Sequence, residues 1–170
     1  MKVSDRLGPC EIVAHLGEKR MRNMGEDSSR CEFEPGALTP RVDVIVPGDV
    51  DAITPAVEKI MEVIREMSCA AGKEFEIELA LTEALANAVI HGCARDPSKT
   101  VRVCAACDHA RGLVVVVRDP GQGFDLSQVP NPVMGEQIYR EGGRGIYLIN
   151  RLMDAVRYER GGTEIWMRKG

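Results

Sequence analysis

The sequence predicts an α+β fold, a two-layer sandwich in which helices cover one face of a mixed, mostly antiparallel sheet. Two segments with helical periodicity follow one another early in the chain, and several short β-branched segments come in pairs joined by tight turns. At 170 residues, the chain is long enough to bury a core without disulfides. We expect one domain over residues 41–170, preceded by a poorly defined extension over residues 1–40.

The predicted elements follow the order β-α-α-β-β-loop-α-β-β. Apolar residues at helical spacing indicate the helices, and β-branched runs bounded by Gly, Pro and Asp indicate the strands. In chain order they are strand 41–46, helix 53–71, helix 76–92, strand 100–107, strand 113–118, helix 146–153 and a hairpin of 155–160 with 163–168. The first forty residues mix charges with Gly, Asn and Ser, and we expect an arm with at most one short helix.

The helix over residues 76–92 is the element around which the other motifs are arranged. Most of its circumference is apolar, which is typical of a helix packed inside a domain. Glu76, Glu83 and Asn87 nevertheless share a narrow arc, because residues four and seven apart lie on one helix face. Asn is a mediocre helix former, so its place here indicates a functional role. The alternative is that these residues form the solvated stripe of an amphipathic helix.

Composition excludes several classes of function. The formal net charge is −4 and aromatic residues make up 4% of the chain, so we expect no contact with nucleic acid, which needs a basic face or stacking platforms. We find neither an apolar run of membrane-spanning length nor a secretory signal, and we expect a cytoplasmic protein without membrane contact. The six cysteines lie in ordinary apolar contexts, so we expect reduced, mostly buried thiols.

Two glycine-containing segments mark places where the backbone bends sharply or a ligand approaches. Asp119, Gly121 and Gly123 directly follow a buried strand. Segment 125–141 has little periodicity, and we expect either a lid or a disordered segment there.

The second glycine segment, residues 143–145, opens a helix. The backbone N–H groups of a helix N-terminus favour an anion such as phosphate, and Arg144 adds positive charge. The segment is not a P-loop, because no Gly-Lys-Ser/Thr follows it. It is not a dinucleotide fingerprint either, because a third glycine at the required spacing is missing.

A zinc site is the rival interpretation. His91 and Cys93, together with Cys104 and Cys107, superficially match the spacing of zinc-dependent deaminases. A deaminase needs Glu at position 93 and Pro at position 103, and neither is present. Cys104 and Cys107 are also three apart on a predicted strand, so their side chains are expected on opposite faces. We therefore do not expect these residues to bind a metal.

The motifs occur together in an order that resembles the histidine-kinase-like ATPase superfamily. The run Thr-Glu-Ala-Leu-Ala-Asn-Ala-Val-Ile-His-Gly at 82–92 and the run Gly-Arg-Gly-Ile-Tyr-Leu-Ile at 143–149 are most similar to the signatures of anti-sigma-factor serine/threonine kinases. The similarity extends over about residues 41–169. It implies that the fold is that of the histidine-kinase-like ATPases.

The resemblance implies that the protein binds ATP and Mg²⁺. Asp119 would accept a hydrogen bond from the adenine amino group, Gly121 would belong to the same pocket, and Gly123 would shape the space for the purine. A carboxylate only accepts hydrogen bonds, so it selects an amino-purine over an oxo-purine.

The same resemblance implies a phosphate half of the site. Asn87 would coordinate Mg²⁺, and Glu83 would be the general base. Gly143, Arg144 and Gly145 would hold the β- and γ-phosphates, and segment 125–141 would close over them as a lid.

The function implied by the resemblance is that of an anti-sigma factor. Such a protein phosphorylates a serine or threonine of an anti-anti-sigma (STAS-type) partner, sequesters a sigma factor, and regulates transcription by switching between the two. The resemblance also implies a homodimer. The alternative is a nucleotide-binding regulatory module that holds a partner without phosphorylating it, and the presence of Glu83 favours the kinase because a pure binder needs no base. A free-standing ATPase or histidine-kinase fragment is disfavoured, because we find no dimerising helices.

Overall fold

A computed structural model describes residues 3–7, 10–14, 40–108, 110–125, 127 and 143–170. Within these ranges, strands β1 to β7 form one sheet in the order β1-β2-β3-β4-β5-β7-β6, and every pairing is antiparallel. The strands are Val3–Leu7, Cys10–Ala14, Pro40–Pro47, Thr100–Asp108, Gly112–Arg118, Ala155–Glu159 and Glu164–Lys169. The predicted α+β architecture with a mostly antiparallel sheet is confirmed, and the described pairings include no parallel one.

Three α-helices of the described ranges pack on one face of this sheet. They are α1 (Ile53–Glu66), α2 (Glu74–Asn87) and α3 (Gly143–Leu152). Helix α1 begins after a 3₁₀ turn that is capped by Asp49, whose Oδ1 accepts a hydrogen bond from the Asp51 N–H. Helix α2 does not continue to residue 92 as an α-helix. It ends at Asn87 and passes into a π-helical turn, Ala88–Gly92.

The core lies between the sheet and the helices. Alternate residues of β3, β4 and β5 face α1 and α2, as the two-residue period of a strand requires. The largest fully buried side chains include Val44, Val46, Ile60, Met61, Ile64, Ile77, Leu81, Leu85, Val89, Leu113, Ile149 and Met167. Strand β5 is buried on both faces, as its run of four valines predicted. Its outward valines, Val114 and Val116, form a second small cluster on the opposite face.

The N-terminal strands were not foreseen. β1 and β2 pair with each other, and β2 pairs with β3, so the first residues extend the edge of the sheet where we expected an arm with at most one short helix. A polar β1, Val-Ser-Asp-Arg-Leu, carries little of the β-branched signal by which the other strands were recognised. The Gly8-Pro9 pair between the two strands is the one turn signal in this part of the sequence.

The expectation of reduced thiols is wrong for three of the described cysteines, because Cys69, Cys104 and Cys107 are all disulfide-bonded. Cys69, in the turn after α1, and Cys107, near the end of β4, form a disulfide, whereas Cys93 is a free and buried thiol. Sequence context could not reveal the pair, because the fold brings together residues 38 positions apart. The predicted opposite orientation of Cys104 and Cys107 is confirmed, since Cys104 lies in the outer cluster and Cys107 packs against the main core.

Two further expectations concern the predicted lid and membrane-spanning segments. Of the predicted lid at 125–141, only Asp125 and Ser127 are described, so the prediction of a lid lies outside the described residues. In the described part of the chain, no helix is long and apolar enough to cross a membrane.

Candidate functional site

The residues proposed from the sequence lie on three elements. Glu83 and Asn87 are on α2, Asp119 directly follows β5, and Gly121 and Gly123 are in the loop after it. The remaining three, Gly143, Arg144 and Gly145, form the first turn of α3. The contacts described below bring these elements together at one end of the helical layer.

The N-terminus of α3 rests directly on the polar face of α2. A β-carbon added to the buried Gly145 would lie 2.8 Å from Oε2 of Glu83 and 3.1 Å from Nδ2 of Asn87. Real β-carbons do not come closer than about 3 Å to another heavy atom, so a side chain at position 145 would require the ends of the Glu83 and Asn87 side chains to move. The absence of a side chain at position 145 therefore sets how closely Glu83 and Asn87 stand to the start of α3.

The polar groups at this contact are free to bind a ligand. Glu83 and Asn87 are half-buried, and within the described part of the chain neither side chain takes part in a hydrogen bond. The first N–H groups of a helix have no partner inside the helix and carry the positive end of its dipole. Arg144 is exposed in that first turn and adds a guanidinium. This end of α3 can accept an anion next to a carboxylate and an amide.

Asp119 is held in place by its own loop and by the next strand. Its Oδ1 accepts a hydrogen bond from the Gly121 N–H at 2.8 Å, and its own N–H donates to the Thr163 carbonyl at 2.9 Å. Burial raises the pKa of the Asp119 carboxyl, and the Gly121 hydrogen bond opposes that rise. A fixed, half-buried carboxylate of this kind suits recognition of a hydrogen-bond donor.

Gly92 connects the two halves of the site. A β-carbon at Gly92 would overlap the Asp119 carboxylate, and one at Gly121 would lie 2.8 Å from the Gly92 Cα. Gly92 is the last residue of the π-helical turn, in which the Cys93 N–H donates to the Ala88 carbonyl. The element that carries Glu83 and Asn87 therefore continues directly to a contact with Asp119.

The loop after Asp119 is closed by the β6–β7 turn. Gly123 has φ +75°, and the Gly161 carbonyl lies so close that no side chain fits at position 123. The Phe124 N–H donates to the same carbonyl at 3.0 Å, and the Phe124 ring meets Tyr158 edge-on with a centroid distance of 5.5 Å. This packing fixes the loop beside the Asp119 carboxylate.

Sequence reasoning missed some residues of this region and included one that belongs elsewhere. Gly92 was identified only as the end of a helix, and the contribution of Thr163 through its backbone carbonyl leaves no sequence signal. Glu76 shares the predicted arc with Glu83, but it forms an ion pair with Lys169 at 2.8 Å at the opposite end of α2. Two turns of helix separate the positions along the axis, and helical periodicity does not report that separation.

Among the described residues, no group of three or more His, Cys, Asp or Glu side chains is arranged to hold a metal ion. An ion bound here would therefore need oxygen atoms from its ligand as well as from the protein.

The profile of the histidine kinase-like ATPase domain matches residues 46–169. The chain belongs to this family. Its relatives include the "Serine-protein kinase RsbW" of Bacillus subtilis (strain 168), which is 33% identical over 92 residues, 49% of this chain and 56% of the relative. The RsbW kinase of Halalkalibacterium halodurans is 36% identical over 87 residues, 48% of this chain and 52% of the relative.

A second group of relatives carries a different name. The "Anti-sigma F factor" of Geobacillus stearothermophilus is 31% identical over 100 residues, 55% of this chain and 67% of the relative. The chain spans about half the length of the RsbW relatives that it matches. These names support the anti-sigma kinase branch of the histidine kinase-like ATPase family.

Proposed function

We propose that this protein is an anti-sigma factor that uses Mg·ATP to phosphorylate a serine or threonine of an anti-anti-sigma (STAS-type) protein, and that it regulates transcription by exchanging that partner for a sigma factor. The observation that carries the proposal is the close contact of Gly145 with Glu83 and Asn87. This contact supports the proposal because the N-terminus of a helix, which suits phosphate, lies next to a carboxylate and an amide.

Asp119 supports recognition of an adenine ring. Its carboxylate can only accept hydrogen bonds, and an adenine amino group donates one, whereas a guanine presents a carbonyl at the corresponding position. An oxo-purine would leave two acceptors facing each other in a half-buried site, which is unfavourable. Gly92 and Gly121 let the backbone pack directly against this carboxylate, because a side chain at either position would overlap it.

The phosphate half fits a magnesium nucleotide. The Asn87 amide oxygen is the type of hard ligand that Mg²⁺ prefers, and one or two protein ligands with phosphate oxygens complete such sites. When bound, the ion would neutralise charge on the β- and γ-phosphates. The α3 N-terminus, from Gly143 to Gly145, would orient the phosphates through its N–H groups, and Arg144 would add a charge-assisted hydrogen bond.

Glu83 would act on the protein substrate. Its carboxylate would take the proton of a serine or threonine hydroxyl while that oxygen bonds to the γ-phosphorus. The bond from the γ-phosphorus to the bridging oxygen would break at the same time, and ADP would leave with the electron pair. The products would be a phosphoserine or phosphothreonine, ADP and a protonated Glu83, which would then release its proton to water. Without a base, the hydroxyl would remain a weak nucleophile.

The protein partners are proposed from the relatives. The names "Serine-protein kinase" and "Anti-sigma F factor" describe a kinase activity and an anti-sigma activity in those proteins. A cytoplasmic location and a homodimer are part of the same proposal. The competing module, which binds nucleotide and holds a partner without phosphorylating it, has no use for a carboxylate at position 83.

The test is to incubate the protein with labelled ATP, Mg²⁺ and candidate STAS-type proteins and to measure phosphate transfer. The wild type is compared with the Glu83→Gln and Asn87→Ala variants. We expect Glu83→Gln to bind ATP with nearly unchanged Kd and to lose phosphoryl transfer by about 100-fold or more. Asn87→Ala should weaken Mg²⁺-dependent binding by about 10-fold, the effect of losing about 1.4 kcal/mol. Glu78→Gln is the matched control, since Glu78 is an exposed carboxylate of α2 that pairs with Arg65.

Two results would contradict the proposal. ATP binding without transfer to any candidate partner would favour the regulatory module. A calorimetric titration in which adenine nucleotides release no heat at any magnesium concentration would exclude both.

A further inference from the structure

Lys169 holds the end of the helical layer that is remote from the site. Its ammonium group donates to the Leu152 carbonyl at 2.7 Å, pairs with the Glu76 carboxylate at 2.8 Å, and lies 3.5 Å from Oδ1 of Asp154. The side chain is only 12% exposed, although it belongs to a lysine. An ammonium group has three donors, and three acceptors surround this one.

These contacts join three elements. Leu152 is the last residue of α3, Glu76 lies in the first turn of α2, and Lys169 is the last residue of β7. Asp154 is itself fixed to β7, because its N–H donates to the Arg168 carbonyl at 2.9 Å and its Oδ2 accepts from the Gly170 N–H at 2.8 Å. The C-terminal end of α3 is thus tied to the sheet as well as to α2.

The spacing of this connection matches that of the site. Seven residues separate Glu76 from Glu83 on α2, and seven residues separate Gly145 from Leu152 on α3. Both intervals correspond to about 10 Å of helix. The two antiparallel helices are therefore linked at two levels, by Lys169 at one level and by the contact of Gly145 with Glu83 at the other. A helix is stiff along its axis, so a shift of α3 at Leu152 moves Gly145 by nearly the same amount.

We propose that Lys169 is a positioning residue that sets where the N-terminus of α3 stands against Glu83 and Asn87. The proposal rests on the proposed function for its effect on catalysis, but its structural consequence can be measured without nucleotide. The carboxylate of Glu76 and the helix C-terminal carbonyl both favour a cation at this position. Replacing Lys169 by an apolar side chain removes the cation from both, so only the packing of the apolar side chains of α3 then fixes its position on α2.

The test uses the full chain with Lys169→Met, which keeps the length of the side chain, and Lys169→Arg, which keeps its charge. Lys59→Met is the matched control, because Lys59 forms an exposed ion pair with Glu62 on α1. The amide resonance of Gly145 is recorded by NMR without nucleotide, and kcat, KM for ATP and the unfolding midpoint are measured in parallel.

We expect Lys169→Met to shift the Gly145 amide resonance and to lower kcat by about 10-fold to 100-fold, because a misplacement of about 1 Å has effects of that size. KM for ATP should change less, since Asp119 is not attached to this connection. Lys169→Arg should restore most of kcat, and Lys59→Met should change neither resonance nor kcat. Should Lys169→Met fail to fold, Glu76→Gln is expected to give a smaller change in the same direction.

A fall in the unfolding midpoint with an unchanged Gly145 resonance would overturn the positioning role. An unchanged kcat of Lys169→Met would also overturn it, provided that the wild type transfers phosphate. If the wild type transfers no phosphate but the Gly145 resonance moves in Lys169→Met, the positioning role is supported and the proposed kinase function fails.

Discussion

The two ends of the α2–α3 pair are built from similar side chains that are used differently. At the remote end, Glu76 and the last carbonyl of α3 both bind Lys169, so charge and hydrogen-bonding capacity are satisfied within the protein. At the site end, Glu83 and Asn87 face Gly145 and form no hydrogen bond within the described residues. The comparison shows that polar groups of one kind are satisfied within the protein at one end and left unbonded by the described residues at the other, which supports the proposed site.

Gly145→Ala should have the largest effect on this comparison. The added methyl group would come too close to Oε2 of Glu83 and Nδ2 of Asn87, so the ends of these side chains would have to turn away from the start of α3. Alanine is a better helix former than glycine by about 1 kcal/mol, so the helix itself should persist. We expect phosphoryl transfer to fall by about 100-fold, measured as kcat/KM. Arg151→Ala, at an exposed position of the same helix, should leave kcat/KM unchanged; equal activity of both variants would contradict the site geometry.

Leu81→Ala should affect stability rather than the site. Leu81 is fully buried between the two ends of α2, and deletion of such a side chain costs about 2–5 kcal/mol of unfolding free energy. Chemical denaturation measures the loss, and the ATP Kd of the folded fraction should stay the same. Leu79→Ala, at a half-buried position of the same helix, should cost clearly less. A large change in Kd for Leu81→Ala would show that the core and the site are not separable.

Asp119→Asn should weaken ATP binding by about 10-fold, because the amide would present a donor where adenine offers its own. The variant also tests a pH dependence. Burial raises the folded-state pKa of Asp119 above the usual 3.8, so the folded protein binds the proton more tightly than the unfolded chain. Wild-type stability relative to Asp119→Asn should therefore decrease as the pH rises from about 3.8 through that raised pKa.

Asp96→Asn should show a pH dependence of stability with the opposite sign. Hydrogen bonds from the Ser98 hydroxyl and N–H lower the pKa of the Asp96 carboxyl. Its stabilising contribution is present above pH 3.8 and is lost as the pH falls through the lowered value. Urea denaturation of both variants across pH 2.5 to 7 should give slopes of opposite sign relative to wild type. Parallel slopes would mean that Asp119 is not in a desolvated environment.

Arg65→Ala should have the smallest effect. Arg65 and Glu78 also join a neighbouring helix to α2, at 3.1 Å, but their side chains are 50% and 46% exposed. Exposed ion pairs contribute about 0–1 kcal/mol, so the unfolding midpoint should barely move and kcat should not change. Lys169 is only 12% exposed. Comparing the effects of Arg65→Ala and Lys169→Met on kcat and the unfolding midpoint therefore measures how strongly burial determines the contribution of an ion pair.

Most of the fold follows from local patterns in the sequence. The β-branched runs predicted β3 to β7 to within one or two residues, and helical spacing located α1, α2 and α3. The N-terminal strands were missed because β1 pairs as an edge strand through its backbone and carries few β-branched residues. The Cys69–Cys107 disulfide was missed because it depends on tertiary proximity.

The candidate site was predicted as a set of residues, and its geometry was not. Glu83 and Asn87 could be named because they are polar residues on one face of a mostly apolar helix, whereas Asp119 was named only through the family resemblance. The roles of Gly92 and Lys169 could not be named, because they depend on which residues of distant elements meet. Periodicity gives the face of a helix, but it says nothing about what packs against each turn, and Glu76 illustrates that limit.

The π-helical turn at the end of α2 determines which residue reaches β5. An α-helix rotates by about 100° per residue. Because the turn over Ala88–Gly92 is wider, Gly92 faces Asp119, in a direction that an unbroken α-helix would not give it. Deleting one residue from this turn would tighten it to ordinary helix and rotate the residues that follow by about 100°. A residue with a side chain would then take the place of Gly92 and collide with Asp119, so a change invisible to composition and hydropathy would displace the carboxylate that we propose to bind adenine.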